Sequence, residues 1–319
     1  MSRFWELRDT RTFGGTGLNT AVWRLLIMKS RHVDIAIDAG ADLAEGPWWD
    51  EQRQELLWVD IFAGTIHLLN PASGLDRSIA VGQPVGMVAR RQTGGLVCAV
   101  RDGIGFIHPD GNAFELAVPI EAAIPGNRMN DGACDPAGRL WAGTMATDLS
   151  PSAGSLYRVS STLQVTPVLP NVSISNGLDW SPDGQTFYFT DSTTKRLDAY
   201  DFDIDTGQIS NGRVLVDLPD PIATPDGMAV DAEGTIWVAM WDGGCVQRFS
   251  PEGVLLETLD LPVTRPTSVA FGGPALDQLF ITSARNGLTP RQLQGQPHAG
   301  AIFVLEPGVT GRSPYSFSG

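Results

Sequence analysis

One pattern recurs six times along this chain, and that periodicity restricts its folding more than any single motif does. Each unit opens on a short start: Glu45-Gly46-Pro47, Val85-Gly86-Met87, Asn130-Asp131-Gly132, Asn176-Gly177-Leu178, Asp226-Gly227-Met228 and Thr267-Ser268-Val269. A turn-rich stretch follows each start, then an apolar run, at 56–61, 96–100, 140–145, 187–191, 236–241 and 279–282. A third run closes the unit, at 65–70, 105–108, 155–159, 197–202, 245–249 and 301–305. Successive starts lie 41, 45, 46, 50 and 41 residues apart. Repeats of roughly 40 to 50 residues built of short strands are the signature of β-propeller blades. The turns have their own chemistry. In Asp135-Pro136-Ala137-Gly138 and Ser181-Pro182-Asp183-Gly184, proline presets φ at the second position and glycine supplies a positive φ near the end. The best helical candidate, 113–123, is short and interrupted by Pro119. The expected fold is therefore all-β: a single six-bladed β-propeller domain over residues 31–319, whose ring closure leaves only short, protected sheet edges.

Residues 1–30 fall outside the repeats and carry Arg3, Arg8, Arg11 and Arg24, the last of which breaks a short apolar run at 21–28. That run is too short and too charged for a secretory signal. The segment reads as a disordered N-terminal extension, or as sequence upstream of a true start at Met28. No apolar run of about 18 residues or more occurs, so no membrane-spanning helix is expected. With 36 acidic residues against 22 basic ones, the chain carries a formal charge of −14. That balance opposes binding to nucleic acid or to an anionic membrane surface, and it suits a protein that concentrates a cation. Cys98, Cys134 and Cys245 cannot all pair within one chain; buried reduced thiols of a cytoplasmic protein account for them. No C-x-x-C spacing supports a zinc site, and His32, His67, His108 and His298 are scattered. Neither the G-x-S-x-G elbow of a serine esterase nor a P-loop occurs. No obligatory protein partner is evident.

Equal phase in a closed ring of repeats means equal depth around a common axis. Four starts place a carboxylate or an amide at one phase: Glu45, Asn130, Asn176 and Asp226. Asn and Asp beside Gly are also ordinary turn formers. Four at one phase, one of them a glutamate, point instead to a shared site. All four offer oxygen, and two carboxylates with two neutral amides suit one hard divalent cation. Ca, Mg and Mn match such a set, and Zn and Fe(II) also accept it.

Four segments carry a resemblance to a known family. Ala44-Glu45-Gly46-Pro47-Trp48-Trp49, Asn127-Arg128-Met129-Asn130-Asp131-Gly132, Ser175-Asn176-Gly177-Leu178-Asp179-Trp180 and Pro225-Asp226-Gly227-Met228 resemble, in order and at blade spacing, the signature segments of the SMP-30/gluconolactonase family. The similarity runs from about residue 40 to about residue 306. It implies a six-bladed propeller with one divalent cation in its channel and activity on a sugar lactone. It implies Glu45, Asn176 and Asp226 as the metal ligands, and it gives Arg128 and Asn130 to substrate hydroxyls and the lactone oxygens. Members of the family often carry a glutamate on the loop after the Gly-Thr-Met run of the third blade. Counting from Gly143-Thr144-Met145, the matching residue is Asp148, one methylene shorter, and it becomes the third candidate for substrate binding.

The ligand set suggests how such a site would work. If Asp226 binds a cation through one oxygen, its other oxygen can take the proton from an attacking water, which makes it ligand and general base at once. Arg128 would position the substrate or stabilise the oxyanion. The first reading is a metal-dependent lactonase that opens an aldonolactone of the gluconolactone, arabinonolactone or xylonolactone class, with that small sugar lactone as its partner. Two alternatives stay open. One is a phosphotriesterase-type hydrolase on the same propeller, which an apolar pocket lining would favour; the other is a non-catalytic cation-binding propeller. Trp58, Trp141 and Trp237 lie in strand-like runs and are expected to pack between blades rather than stack on sugars.

Overall fold

Every apolar run of the repeats forms a strand. In the computed structural model, which describes residues 31–109 and 113–319, the chain builds six antiparallel sheets of four strands each. The fold is a six-bladed β-propeller. The extension expected over residues 1–30 lies outside the described residues. The innermost strands, in chain order, are Ala44–Asp50, Val85–Arg90, Asn127–Cys134, Ser175–Trp180, Thr224–Val230 and Pro266–Gly272. Each opens one blade, numbered here one to six.

The second strands are sandwiched between neighbouring blades, which is why their sequences are continuously apolar rather than alternating. Glu55–Asp60, Leu96–Val100 and Leu140–Ala146 are buried at every residue. Trp58, Trp141 and Trp237 sit in such strands and are no more than 1% exposed. Trp141 packs its ring 4.9 Å from that of Phe187, across the boundary between blades three and four. The turns before these strands anchor them. Asp135 accepts from the backbone N–H of Ala137 and Arg139 and from Trp141 Nε1, and Asp231 repeats that pattern with Trp237.

The outer strands show less pattern. Leu75–Ala80 and Phe114–Pro119 are half-exposed, and the second of these occupies the segment that was the best helical candidate. Its backbone pairs with Gly103–Ile107, so sheet completion overrides the local pattern. The one α-helix among the described residues, Pro290–Gly295, is instead set by a capping box between Thr289 and Gln292 and by a proline at its first turn.

Both ends of the described chain close the ring. Blade six takes its outermost strand, Asp34–Ile37, from the N-terminal side, with Asp34 opposite Val304 and Ile35 opposite Phe303 of Ile302–Leu305. Beyond that strand, residues 306–319 cross the end of the ring where first and second strands join. Contacts reach every blade: Gly311 to Leu276, Thr310 to Ala232, Arg312 to Asp179 and Trp180, Ser318 to Gly138, Phe317 to Arg90, and the Tyr315 carbonyl to Trp48 Nε1. Phe317 is fully buried in the core shared by blades two and three.

Candidate active site and metal centre

The innermost strands do not run straight into the channel. In all six, the pairing register with the second strand shifts near the start, between Glu45 and Trp48, Val85 and Met87, Met129 and Gly132, Asn176 and Leu178, Pro225 and Met228, and Pro266 and Val269. Such bulges re-aim side chains and recur next to active sites. Two glycines in them let adjacent strands approach. A Cβ on Gly86 would run into the carbonyl oxygen of Asn130, and one on Gly177 into that of Asp226. The repeated start is thus a bulge plus a close inter-blade contact, and it turns its polar side chain toward the axis.

Glu45, Arg128, Asn130, Asn176 and Asp226 line one cavity of about 360 Å³, at the end of the ring opposite the 306–319 segment. All five are buried. Arg128 Nη1 donates to Asn130 Oδ1 at 2.8 Å and to the Met129 carbonyl at 2.9 Å. Asn130 Nδ2 donates to the Ser175 carbonyl at 2.8 Å, so both ends of this amide are engaged and its oxygen pins the guanidinium. Asn176 Nδ2 donates to Ser192 Oγ at 3.0 Å. Asp226 Oδ1 and Arg128 Nε are buried without a hydrogen-bond partner.

Charge is concentrated here. Burial, then the neighbouring Asp226 and Asp131 carboxylates, push the Glu45 carboxyl well above its usual range. Burial and then Asp131 raise Asp226 in the same way. Burial lifts Asp131 to about 7, and it holds the Arg128 guanidinium down to about 10 although Glu45 and Asp226 pull it up. One buried guanidinium does not offset this many buried carboxyls. Among the described residues no three His, Cys, Asp or Glu side chains group closely enough to hold a metal ion. The set here is two carboxylates completed by an amide, and it carries an orphaned carboxylate oxygen. Oxygen-only donors with that charge deficit fit a hard divalent cation, which Glu45, Asn176 and Asp226 could hold between them.

The structure does not bring Asp148 into the cavity, although its neighbours Thr147 and Leu149 line it. Leu149, which does line it, takes a left-handed backbone, φ 61°. The Asp148 carboxylate instead accepts from the N–H of Ser150 at 3.0 Å.

Residues 43–285 match the model of the SMP-30/Gluconolactonase/LRE-like region. The chain belongs to this family. One relative is regucalcin of Oryctolagus cuniculus, 39% identical over 299 residues that span 92% of this chain and 100% of the relative. A luciferin-regenerating enzyme of known structure has a TM-score of 0.85 and 34% identity, covering 90% of this chain and 99% of that one. A calcium-binding protein, regucalcin from Agrobacterium tumefaciens str. C58, also has a TM-score of 0.85, with 31% identity over 90% and 97% of the two chains. The segment matching the SMP-30/gluconolactonase family contains all four signature runs and Glu45, Arg128, Asn130, Asn176 and Asp226 of the cavity.

Family membership does not reveal the rest of the cavity wall. Phe62, Leu149, Ile174 and Trp241 line its outer part. They come from different blades and share no repeat phase, so no sequence signal joined them. Asp131 was visible as part of Asn130-Asp131-Gly132, yet its proximity to Glu45 and Asp226 emerges only when the ring closes.

Proposed function

We propose that this member of the family is a divalent-cation-dependent lactonase that opens a sugar aldonolactone, of the gluconolactone, arabinonolactone or xylonolactone class, to the aldonate. The observation that carries this reading is the buried, unpartnered Oδ1 of Asp226 in a cavity shared with Glu45, Asn176 and Arg128. When bound by Glu45, Asn176 and Asp226, a cation supplies Lewis acidity toward an acyl oxygen and a water. Asp226 has a second oxygen to take the proton from the attacking water. The water oxygen bonds to the acyl carbon, the ring C–O bond breaks, and the ring oxygen leaves as a hydroxyl carrying the proton returned by Asp226. Arg128, pinned by Asn130, offers fixed donors to the oxyanion that develops between these events.

The oxygen-only donors favour Ca, Mg or Mn, and Zn and Fe(II) are also accepted. A small neutral lactone suits a chain whose charge of −14 opposes nucleic acid and anionic membranes. The three buried, unpaired cysteines support a reducing compartment such as the cytoplasm. Among the described residues no helix is long and apolar enough to cross a membrane.

One observation favours a second reading. The apolar outer wall of Phe62, Leu149, Ile174 and Trp241 would also accommodate the substituents of a phosphotriester. The deciding experiment is hydrolysis of glucono-, galactono-, xylono- and arabinonolactone and an aryl phosphotriester by chelated protein with added divalent metals, beside an Asp226→Ala control. Metal-dependent opening of a lactone, lost in the control, is the expected outcome. Turnover of the phosphotriester alone replaces the lactonase reading with the second one. A folded protein that binds a cation and turns over neither substrate is a non-catalytic binding propeller.

A further inference from the structure

The cavity joins two chemistries. Its floor is ionic and amide, whereas Phe62, Leu149 and Trp241 project from blades one, three and five around its opening. Scattered exposed apolar residues need no explanation. These converge on one cavity, and Phe62 and Leu149 remain 45% and 60% exposed there. Each is also held in place. The Arg128 guanidinium carbon lies 5.4 Å from the centre of the Phe62 ring. Arg265 stands 4.7 Å from the Trp241 ring and is itself fixed by Asp242, Nε to Oδ1 at 2.6 Å. Leu149 keeps a left-handed backbone that costs energy for any residue with a side chain, and its N–H donates to the Ala146 carbonyl at 3.0 Å. Strain of this kind persists where surrounding structure enforces it, and it clusters at ligand clamps.

We infer that Phe62, Leu149 and Trp241 form an apolar collar that holds an alkyl or aryl substituent carried on a ring carbon of the lactone, beside the polar residues that bind the ring itself. This deepens the lactonase reading and rests on it. A hydroxyl pressed against Phe62 or Leu149 loses its water hydrogen bonds without replacement, because neither side chain carries a hydrogen-bonding group and Trp241 adds only its indole N–H. A methylene at the same place leaves water for an apolar surface. The cavity, at about 360 Å³, falls within the roughly 300–1,000 Å³ of pockets that enclose drug-sized ligands, which leaves room beyond a bare lactone ring. The bonds made and broken are those of the lactonase step; the substituent only binds.

The test compares kcat/KM of the metal-loaded protein for 5-alkyl γ-lactones of increasing chain length with that for glucono-1,5-lactone. Calorimetric binding of the matching 5-alkyl γ-lactams, which resist opening, gives a readout independent of turnover. We expect kcat/KM and lactam affinity to rise about threefold per methylene over the first few carbons. Phe62→Ser and Leu149→Ser should flatten both trends, and since both side chains are exposed, thermal melts should show the fold retained. Opening of glucono-1,5-lactone as fast as any alkyl lactone, with no rise along either series, overturns the collar and leaves the lactonase standing. If no lactone opens with any cation while lactam affinity still rises with chain length, the hydrolase reading fails and the collar survives.

Discussion

Beside the cavity's carboxylates, Asp131 is the residue whose environment makes the sharpest claim about pH. Its carboxyl titrates at about 7 in the folded chain because burial disfavours its charged form, against about 3.9 when unfolded. Between those values the folded state binds more protons, so the contribution of Asp131 to stability falls as pH rises from about 4 to about 7. Asp131→Asn removes that loss. In thermal melts with a chelator present, the variant should gain on the parent at pH 8, on the order of 4 kcal/mol, and gain roughly a third of that at pH 5. An equal gain at both pH values would show that the benefit comes from packing rather than from charge. Arg128 makes a different claim. Its planar guanidinium is oriented by Asn130 and the Met129 carbonyl, and a lysine ammonium cannot keep that geometry. Arg128→Lys should lower kcat/KM for lactone opening by about a hundredfold. Steady-state kinetics at saturating metal would check it, and a change of less than threefold would remove Arg128 from the oxyanion. Asp148 marks the limit of reading residues from sequence. Leu149 and Thr147 line the cavity and Asp148 does not, and neither composition nor spacing distinguishes adjacent residues of one loop.

At the scale of strands, the bulge is the element that makes the site. Gly177→Ala would press a methyl group into the carbonyl of Asp226 on the next blade. The substitution should cost about 1–3 kcal/mol in denaturant melts. It should also weaken cation affinity by titration, because the displaced strand carries Asp226, one of the proposed ligands; stability loss with unaltered affinity would mean the strain is absorbed elsewhere. The same element explains what could be read in advance. Innermost and second strands were legible because burial on both faces demands continuous apolar runs, and because polar-Gly starts recur at fixed spacing. Outer strands such as Leu75–Ala80 were not, since one side meets solvent and their residues answer to no single pattern. The polar floor was readable because four blades repeat it. The apolar collar was not, because a phenylalanine in one turn, a leucine in another and a tryptophan at a strand end have no common periodicity.

At the scale of the whole ring, residues far apart in sequence determine closure. Phe317 inserts into the core formed by Met87, Ala99, Leu140 and Val159, between blades two and three. Phe317→Ala should destabilise by about 3–5 kcal/mol, measured by denaturant unfolding. The loss should affect one cooperative transition if the 306–319 segment fastens all six blades together; a separate early transition would show that the segment detaches by itself. The pairing of Asp34–Ile37 with Ile302–Leu305 has a consequence for how the molecule is made. A ribosome releases the early strand first and its partner last, and at about 5–20 residues per second the wait is on the order of tens of seconds. Throughout that interval the early strand carries unpaired N–H and C=O groups, a template for whatever edge it meets. Blade six gains its fourth strand only after residues 302–305 emerge, so the ring is completed late in synthesis by a strand that was among the first made.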